Sequence, residues 1–332
     1  MAQAFVILVP RQPFVKIRTV LPVSNAQPVS SRPYVGIGVG ILAVSAASLF
    51  IRYAQAEGVP SLVIAAYRLS LASLVLAPFA IGRHWLELRA LNRRQWALVL
   101  TSGFFLGAHF AAWITSLAYT SVASSVVLVS SSPLFVALIA ALVLRERLSR
   151  LVLAGLVLTL AGAAVVGLSD VCSLQGCPPW QAFLQGSAFV GDLLALLGAL
   201  AFAVYLSAGR VLRASVSLTC YIFAAYATAA LVLCAVVWAT RLPVTGFTGQ
   251  AYVWLGLLAL VPQLIGHSAF NWALKYLPAT YVSVTILAEP LGSSVLAAVL
   301  LREVPGIIQL AGSVLILAGI LVASRQPGVA SS

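Results

Sequence analysis

From Tyr34 onward the chain alternates between long apolar runs and short breaks that hold charges, prolines or glycines. A run of about 20 residues crosses the ~30 Å of hydrocarbon in a bilayer as a helix. Ten such runs can be marked, the first five being Tyr34–Ala54, Ser61–Ile81, Trp96–Ala118, Val122–Leu144 and Leu151–Leu168. The other five are Ala188–Ala208, Leu218–Ala239, Ala251–Leu274, Ala279–Leu301 and Gly306–Ser324. Within each run the apolar residues are continuous, which excludes the alternating strands of an outer-membrane barrel. Residues 1–33 differ, with Arg11, Lys16, Arg18 and Arg32 set among prolines. Their one apolar run, AFVILV, is too short for a span or a signal-peptide core, so this segment reads as a flexible cytoplasmic tail.

Composition agrees that the solvent is lipid. Of 332 residues, 62% are hydrophobic and 8% charged, against roughly a quarter charged in an ordinary soluble domain. The net charge of +12 is spread through the gaps between apolar runs instead of forming one basic face with interleaved aromatics, which argues against nucleic acid as a partner. Four cysteines are too few for a disulfide scaffold, and no Cys/His spacing suits zinc, so neither metal nor cofactor is expected.

Orientation follows from the positive residues, which are retained in the cytoplasm. With the N-terminus inside, 15 Lys and Arg fall on the cytoplasmic side, only Arg52, Arg241 and Arg302 fall outside, and Arg68 lies within a helix. Both termini are then cytoplasmic, including the tail at 325–332, and the loop at 169–187 is external.

The chain also repeats itself. A shift of 157 residues superposes Pro133-Leu134 on Pro290-Leu291, Leu144-Arg145-Glu146 on Leu301-Arg302-Glu303, Gly155 on Gly312 and Ala161-Gly162 on Ala318-Gly319. Earlier in each half a shift of 159 pairs Ser48 with Ser207 and Ala66-Tyr67 with Ala225-Tyr226. Each half, 34–168 and 188–324, holds five helices, an odd number, so the second half enters the membrane from the opposite side. The expected fold is therefore all-α, with ten transmembrane helices in two inverted five-helix repeats around a central cavity.

These residues carry a family resemblance. PLFVALIAALVLRERLSRLVLAGLVLTLAG, its echo EPLGSSVLAAVLLREVPGIIQLAGSVLILAG, AYRLSLASLVLAPFA in the second helix and GDLLALLGALAFAVY in the sixth resemble the EamA domains of the drug/metabolite transporter superfamily. The resemblance covers nearly all of Tyr34–Ser324. It implies alternating access around a central cavity, a bacterial inner-membrane location, and small metabolites as substrates, often amino acids being exported. No motif selects one substrate, the coupling mode or an oligomeric state.

Candidate site residues follow from the cost of polar groups inside a membrane, on the order of 3 kcal/mol for an ionisable side chain at mid-depth. Glu289 lies eleven residues into the ninth helix, roughly 17 Å deep at 1.5 Å per residue. There it could exchange protons in a substrate cycle, or be held in a static contact with Arg68. Pro290 after it frees the carbonyl one turn back, and Ser132-Pro133 occupies the equivalent place in the first half. Arg68, about 10 Å below the outer boundary, is within snorkelling reach of the headgroups. His109 and Trp113 share a face of the third helix, and Gln263, His267 and Asn271 share one on the eighth. Equivalent helices bearing polar stripes suit a substrate-binding cavity, although interhelical hydrogen bonds would use the same residues. Asp192, nearer the external surface, suits capping or packing.

Other motifs read more simply. Gly36, Gly38 and Gly40 open an apolar span with no strand before them, which suits close helix packing and not nucleotide binding. Cys172 and Cys177 could close a small external disulfide loop, and Cys220 and Cys234 are expected to be buried in one helix. No catalytic set is expected. A lipid-modifying intramembrane enzyme would need nucleophile and base in reach of each other, and a non-transporting scaffold would leave a midplane Glu289 without a purpose.

Overall fold

The computed structural model describes residues 32–144, 150–169, 186–277, 282 and 285–324. The N-terminal and C-terminal tails, the RERLSR segment and the loop with Cys172 and Cys177 lie wholly or mostly outside the described residues. Among those described, all regular structure is helical. Seven helices are long and apolar enough to cross a membrane, and three shorter apolar ones cover Leu153–Val166, Glu289–Leu301 and Ile307–Val322.

In the first half, α1 (Arg32–Ser45) and α2 (Ala47–Ala56) form one span broken at Ala46. Next come α3 (Ser61–Ala90) and α4 (Arg93–Ser116), then α5 (Val122–Val129) and α6 (Ser132–Leu144) in one broken span, and α7 (Arg150–Ser169). The second half holds α8 (Ser187–Arg213), α9 (Leu218–Ala239) and α10 (Gly249–Leu258), which runs through a π-helical stretch, Ala259–His267, into α11 (Ser268–Ala273). A 3₁₀ turn at Ile286–Ala288 leads into α12 (Glu289–Leu296) and a π turn, Ala297–Leu301, before α13 (Ile307–Ser324).

Helix starts are written in the sequence. Asn92 accepts from Gln95 N at 2.9 Å while Gln95 Oε1 accepts from Asn92 N at 3.0 Å, a reciprocal cap that starts α4. Ser121, Ser217 and Thr248 cap α5, α9 and α10 in the same sense. The second helix departs from expectation, continuing nine residues past Ile81 to Ala90. Arg83–Ala90 contains no Gly or Pro to stop it, and Glu87 there accepts from Ser217 N and Oγ, both at 2.6 Å, tying the helix end to the start of α9.

Many large apolar side chains face outward, among them Leu42, Leu86, Leu231 and Trp238, as suits a lipid-facing surface. Inside, small residues bring backbones together. A methyl group on Gly162 would lie 2.7 Å from Gly312 O, and one on Gly319 would lie 2.7 Å from Gly155 O. Residue numbers therefore rise along α7 as they fall along α13, and the two helices cross antiparallel. Of the early glycines, Gly36 packs on Trp272 and Gly40 on Phe270, while Gly38 has nothing near it. Cys220 is buried as expected, but Cys234 is exposed, because it faces an open groove between α3 and α9 and not the helix bundle.

Candidate functional site

Three interrupted spans and two continuous helices converge on one small cavity of about 30 Å³. Ser130 and Ser132 reach it from the break between α5 and α6, and Ile286 and Glu289 from the 3₁₀ turn and the start of α12. Under the 157-residue shift Ser130 and Ser131 match Leu287 and Ala288, so both halves interrupt a helix at the same place, just before Pro133 and Pro290. A proline removes one backbone donor and clashes with the turn before it, which localises both breaks. Ser130 and Ser131 close their turn by donating to Val126 O and Leu128 O, each at 2.7 Å.

The rest of the wall is aromatic. His109 and Trp113, one turn apart on α4, stack with centroids 5.9 Å apart. Phe202 from α8 lies 4.8 Å from His109 and 5.9 Å from His267, and Phe270 lies 6.3 Å from His267. His109 Nδ1 is 3.0 Å from Gly198 O. A carbonyl can only accept, so Nδ1 carries the proton and Nε2 of the neutral ring is an acceptor. Phe202 and Phe270 bear no polar group and gave no signal beyond general apolarity in the sequence. Their spacing to Tyr205 and His267 was the available clue, three residues in each case.

Gln263 and Asn271 lie behind this wall instead of on it, each with one end of its amide held by neighbouring groups. Asn271 Nδ2 donates to Tyr205 OH at 2.6 Å and to His267 O at 2.8 Å, fixing the end of the π-helical stretch. Gln263 Oε1 accepts from Arg68 Nε at 2.8 Å. Arg68 does not snorkel. It is fully buried, with its guanidinium carbon 4.1 Å from the Phe110 centroid and 6.0 Å from the Trp113 centroid, a cation stacked on aromatic faces. Its burial follows from its neighbours, since Gln263 and Phe110 draw the side chain inward from mid-helix. The ion pairs among the described residues are Arg52–Glu303 at 2.7 Å and His84–Glu87 at 3.0 Å, so Arg68 and Glu289 are not held together. Asp192 accepts from Thr120 at 3.0 Å, a packing role at the helix end.

Among the described residues no three His, Cys, Asp or Glu side chains gather as a metal site requires. A larger cavity, about 790 Å³, lies between α3 and α9. Its lining is mainly apolar, from Val63 and Leu74 to Trp238 and Leu242, with Tyr67, Ser70, Cys234 and Arg241 among them, and none of the polar residues expected at a site reaches it. The sequence candidates His109, Trp113, Ser132, His267 and Glu289 line the smaller cavity.

Comparison with known families accounts for the chain as a whole. The model of the EamA-like transporter family matches residues 34–168 and again 189–325. The chain belongs to the EamA-like transporter family. It is thus an integral membrane protein built from two EamA repeats. A solved crystal structure of a protein aligns with 89% of this chain and 98% of its own at 22% identity, with a TM-score of 0.63. At that identity the likeness carries the fold alone. Comparison with curated protein sequences found no match.

Proposed function

We propose that this EamA protein is a secondary active carrier of a small metabolite, an amino acid or related compound, which it exports across the bacterial inner membrane in a proton-linked cycle. Ten helices in two inverted repeats place both termini in the cytoplasm. The reading draws on the antiparallel crossing of α7 and α13 and on the distribution of Lys and Arg. The observation that carries it is the meeting of two interrupted helices, one from each half, at a cavity bearing Glu289. Transporters place substrate and coupling sites at such breaks near the bilayer midplane.

The cavity holds about one water in volume. A metabolite fits only once the walls part, as alternating access requires of a carrier with its site shut. Glu289 is the proton-coupling candidate, facing His109 from α4 and His267 from the π-helical stretch, with Arg68 from α3 close behind. Opening to one side hydrates the carboxyl and favours its charged form, and closure reverses that preference, so proton occupancy follows conformation. His109, Trp113 and His267 form the wall against which cargo rests, while Gln263, Asn271, Ser132, Pro133 and Pro290 set its shape. The test is flux of a metabolite panel into proteoliposomes with and without a pH gradient. Gradient-driven accumulation supports the reading, and conversion of a compound without flux overturns it.

A further inference from the structure

Arg68 presents an unanswered question in the bundle interior. Its Nε is engaged by Gln263, yet its two terminal nitrogens, Nη1 and Nη2, are buried without a hydrogen-bond partner among the described residues. Trp113 Nε1, on the ring beside the guanidinium, is in the same condition. All three are donors, and none can accept. Leaving a buried charged donor unsatisfied is among the costliest arrangements a protein keeps. Stacking on Phe110 and Trp113 attracts the cation through their faces but supplies no acceptor in the guanidinium plane.

The Gln263 bond also fixes the direction of the side chain. With Nε held by Gln263, the edge formed by Nη1 and Nη2 is the edge left open, and paired donors in one plane match the two oxygens of a carboxylate. Trp113 belongs to both sets, lining the cavity and adjoining Arg68. Trp113 is therefore the side chain that links the cavity to the guanidinium, which stands 6.0 Å from its ring centroid. The second half offers no duplicate, because the counterpart of Arg68 under the 159-residue shift is Ala227. The subsite is asymmetric, so a ligand binds in one orientation.

We infer that Arg68 Nη1 and Nη2, with Trp113 Nε1, form a carboxylate subsite at the edge of the aromatic cavity, making the cargo a small carboxylate whose apolar part lies among His109, Trp113, Phe202 and Phe270. This rests on the carrier reading and narrows its substrate class. Free amines, amides and esters of the same skeleton lack the charged acceptor and are rejected. A site built around buried polar groups discriminates strongly against analogues that leave those groups unpaired.

The experiment uses the purified full chain with L-phenylalanine, L-leucine, their primary amides and the corresponding decarboxylated amines as probes. Binding is measured by equilibrium dialysis, and counterflow of the same compounds in proteoliposomes. The acids should bind at least about tenfold more tightly than their amides and amines. Arg68→Gln should bring that ratio close to one, and Arg68→Lys should keep a weakened preference, since a point charge cannot form the paired bonds. Amides binding wild-type protein as tightly as acids, or no probe binding at all, overturns the subsite without recourse to any variant. Acid-selective binding without counterflow leaves the subsite standing and removes the carrier reading. Counterflow indifferent to the carboxylate does the reverse.

Discussion

Thr159 Oγ1 lies 3.5 Å from Ile316 O, and the two residues are each other's counterparts under the 157-residue shift. The glycine contacts on either side obey the same exchange, because adding the shift to one member of the Gly162–Gly312 contact and removing it from the other gives Gly319–Gly155. A contact set that maps onto itself is the mark of a two-fold axis. Here it passes between α7 and α13, across their length. Reporter fusions after Ser324 and within RERLSR should therefore read cytoplasmic, and fusions in the loop at 169–187 external. Termini on opposite faces of the membrane would sink the inverted arrangement.

The same crossing makes a stability prediction. Gly162→Leu must push a side chain into the Gly312 backbone, 2.7 Å from where its first carbon would stand. Overpacking of this kind costs about 1–3 kcal/mol. The variant should melt at lower temperature in detergent. Gly38→Leu, where nothing lies within 4 Å, should melt like wild type. Equal melting of the two would mean that α7 and α13 are not closely packed.

Glu289→Gln keeps size and hydrogen bonding and removes the charge change. Gradient-driven flux should fall by at least about tenfold, the scale on which a removed coupling of ~1.4 kcal/mol is felt, and its pH dependence should vanish. Substrate counterflow, which moves no net proton, should be far less affected. A variant with wild-type pH dependence would make Glu289 a structural residue.

At one end of the bundle Arg52 on α2 meets Glu303, and Glu303 also accepts from Val122 N at 3.1 Å, so three elements from both halves are pinned together. The pair is about a quarter to a third exposed. Such pairs contribute at most about 1 kcal/mol, so Arg52→Ala should shift the balance of open and closed forms by less than about fivefold. Single-cysteine labelling near Ser121 should rise while the melting temperature barely moves. Labelling that stays at the wild-type level would show that this contact restrains nothing.

Much of this was legible in the chain. The repeat was visible because Pro133 and Pro290, or Gly155 and Gly312, are residues whose backbone behaviour must recur wherever the fold recurs. His109, Trp113, Gln263, His267 and Asn271 could be grouped, and Glu289 singled out, because polar groups stand out against an apolar background; of these His109, Trp113, His267 and Glu289 line the cavity. What escaped was what depends on partners distant in the chain. The burial of Arg68 is decided by Gln263 and Phe110, and the placement of Gln263 and Asn271 behind the wall is decided by Arg68 and Tyr205. The extra turns of α3 escaped for another reason: hydropathy marks where lipid ends, not where a helix does.

The π-helical stretch at Ala259–His267 carries a consequence for how the wall can move. Each π turn holds about one residue more than an α turn, and one residue of an α-helix corresponds to 1.5 Å of rise and roughly 100° of rotation. The stretch is a stored surplus of chain. If one turn of it tightened, His267 and Phe270 would swing round the helix axis by a large angle while α10, upstream, stayed where it was. A few hydrogen bonds changing partner within one span would then re-aim an aromatic wall, with no whole helix having to slide through the bilayer.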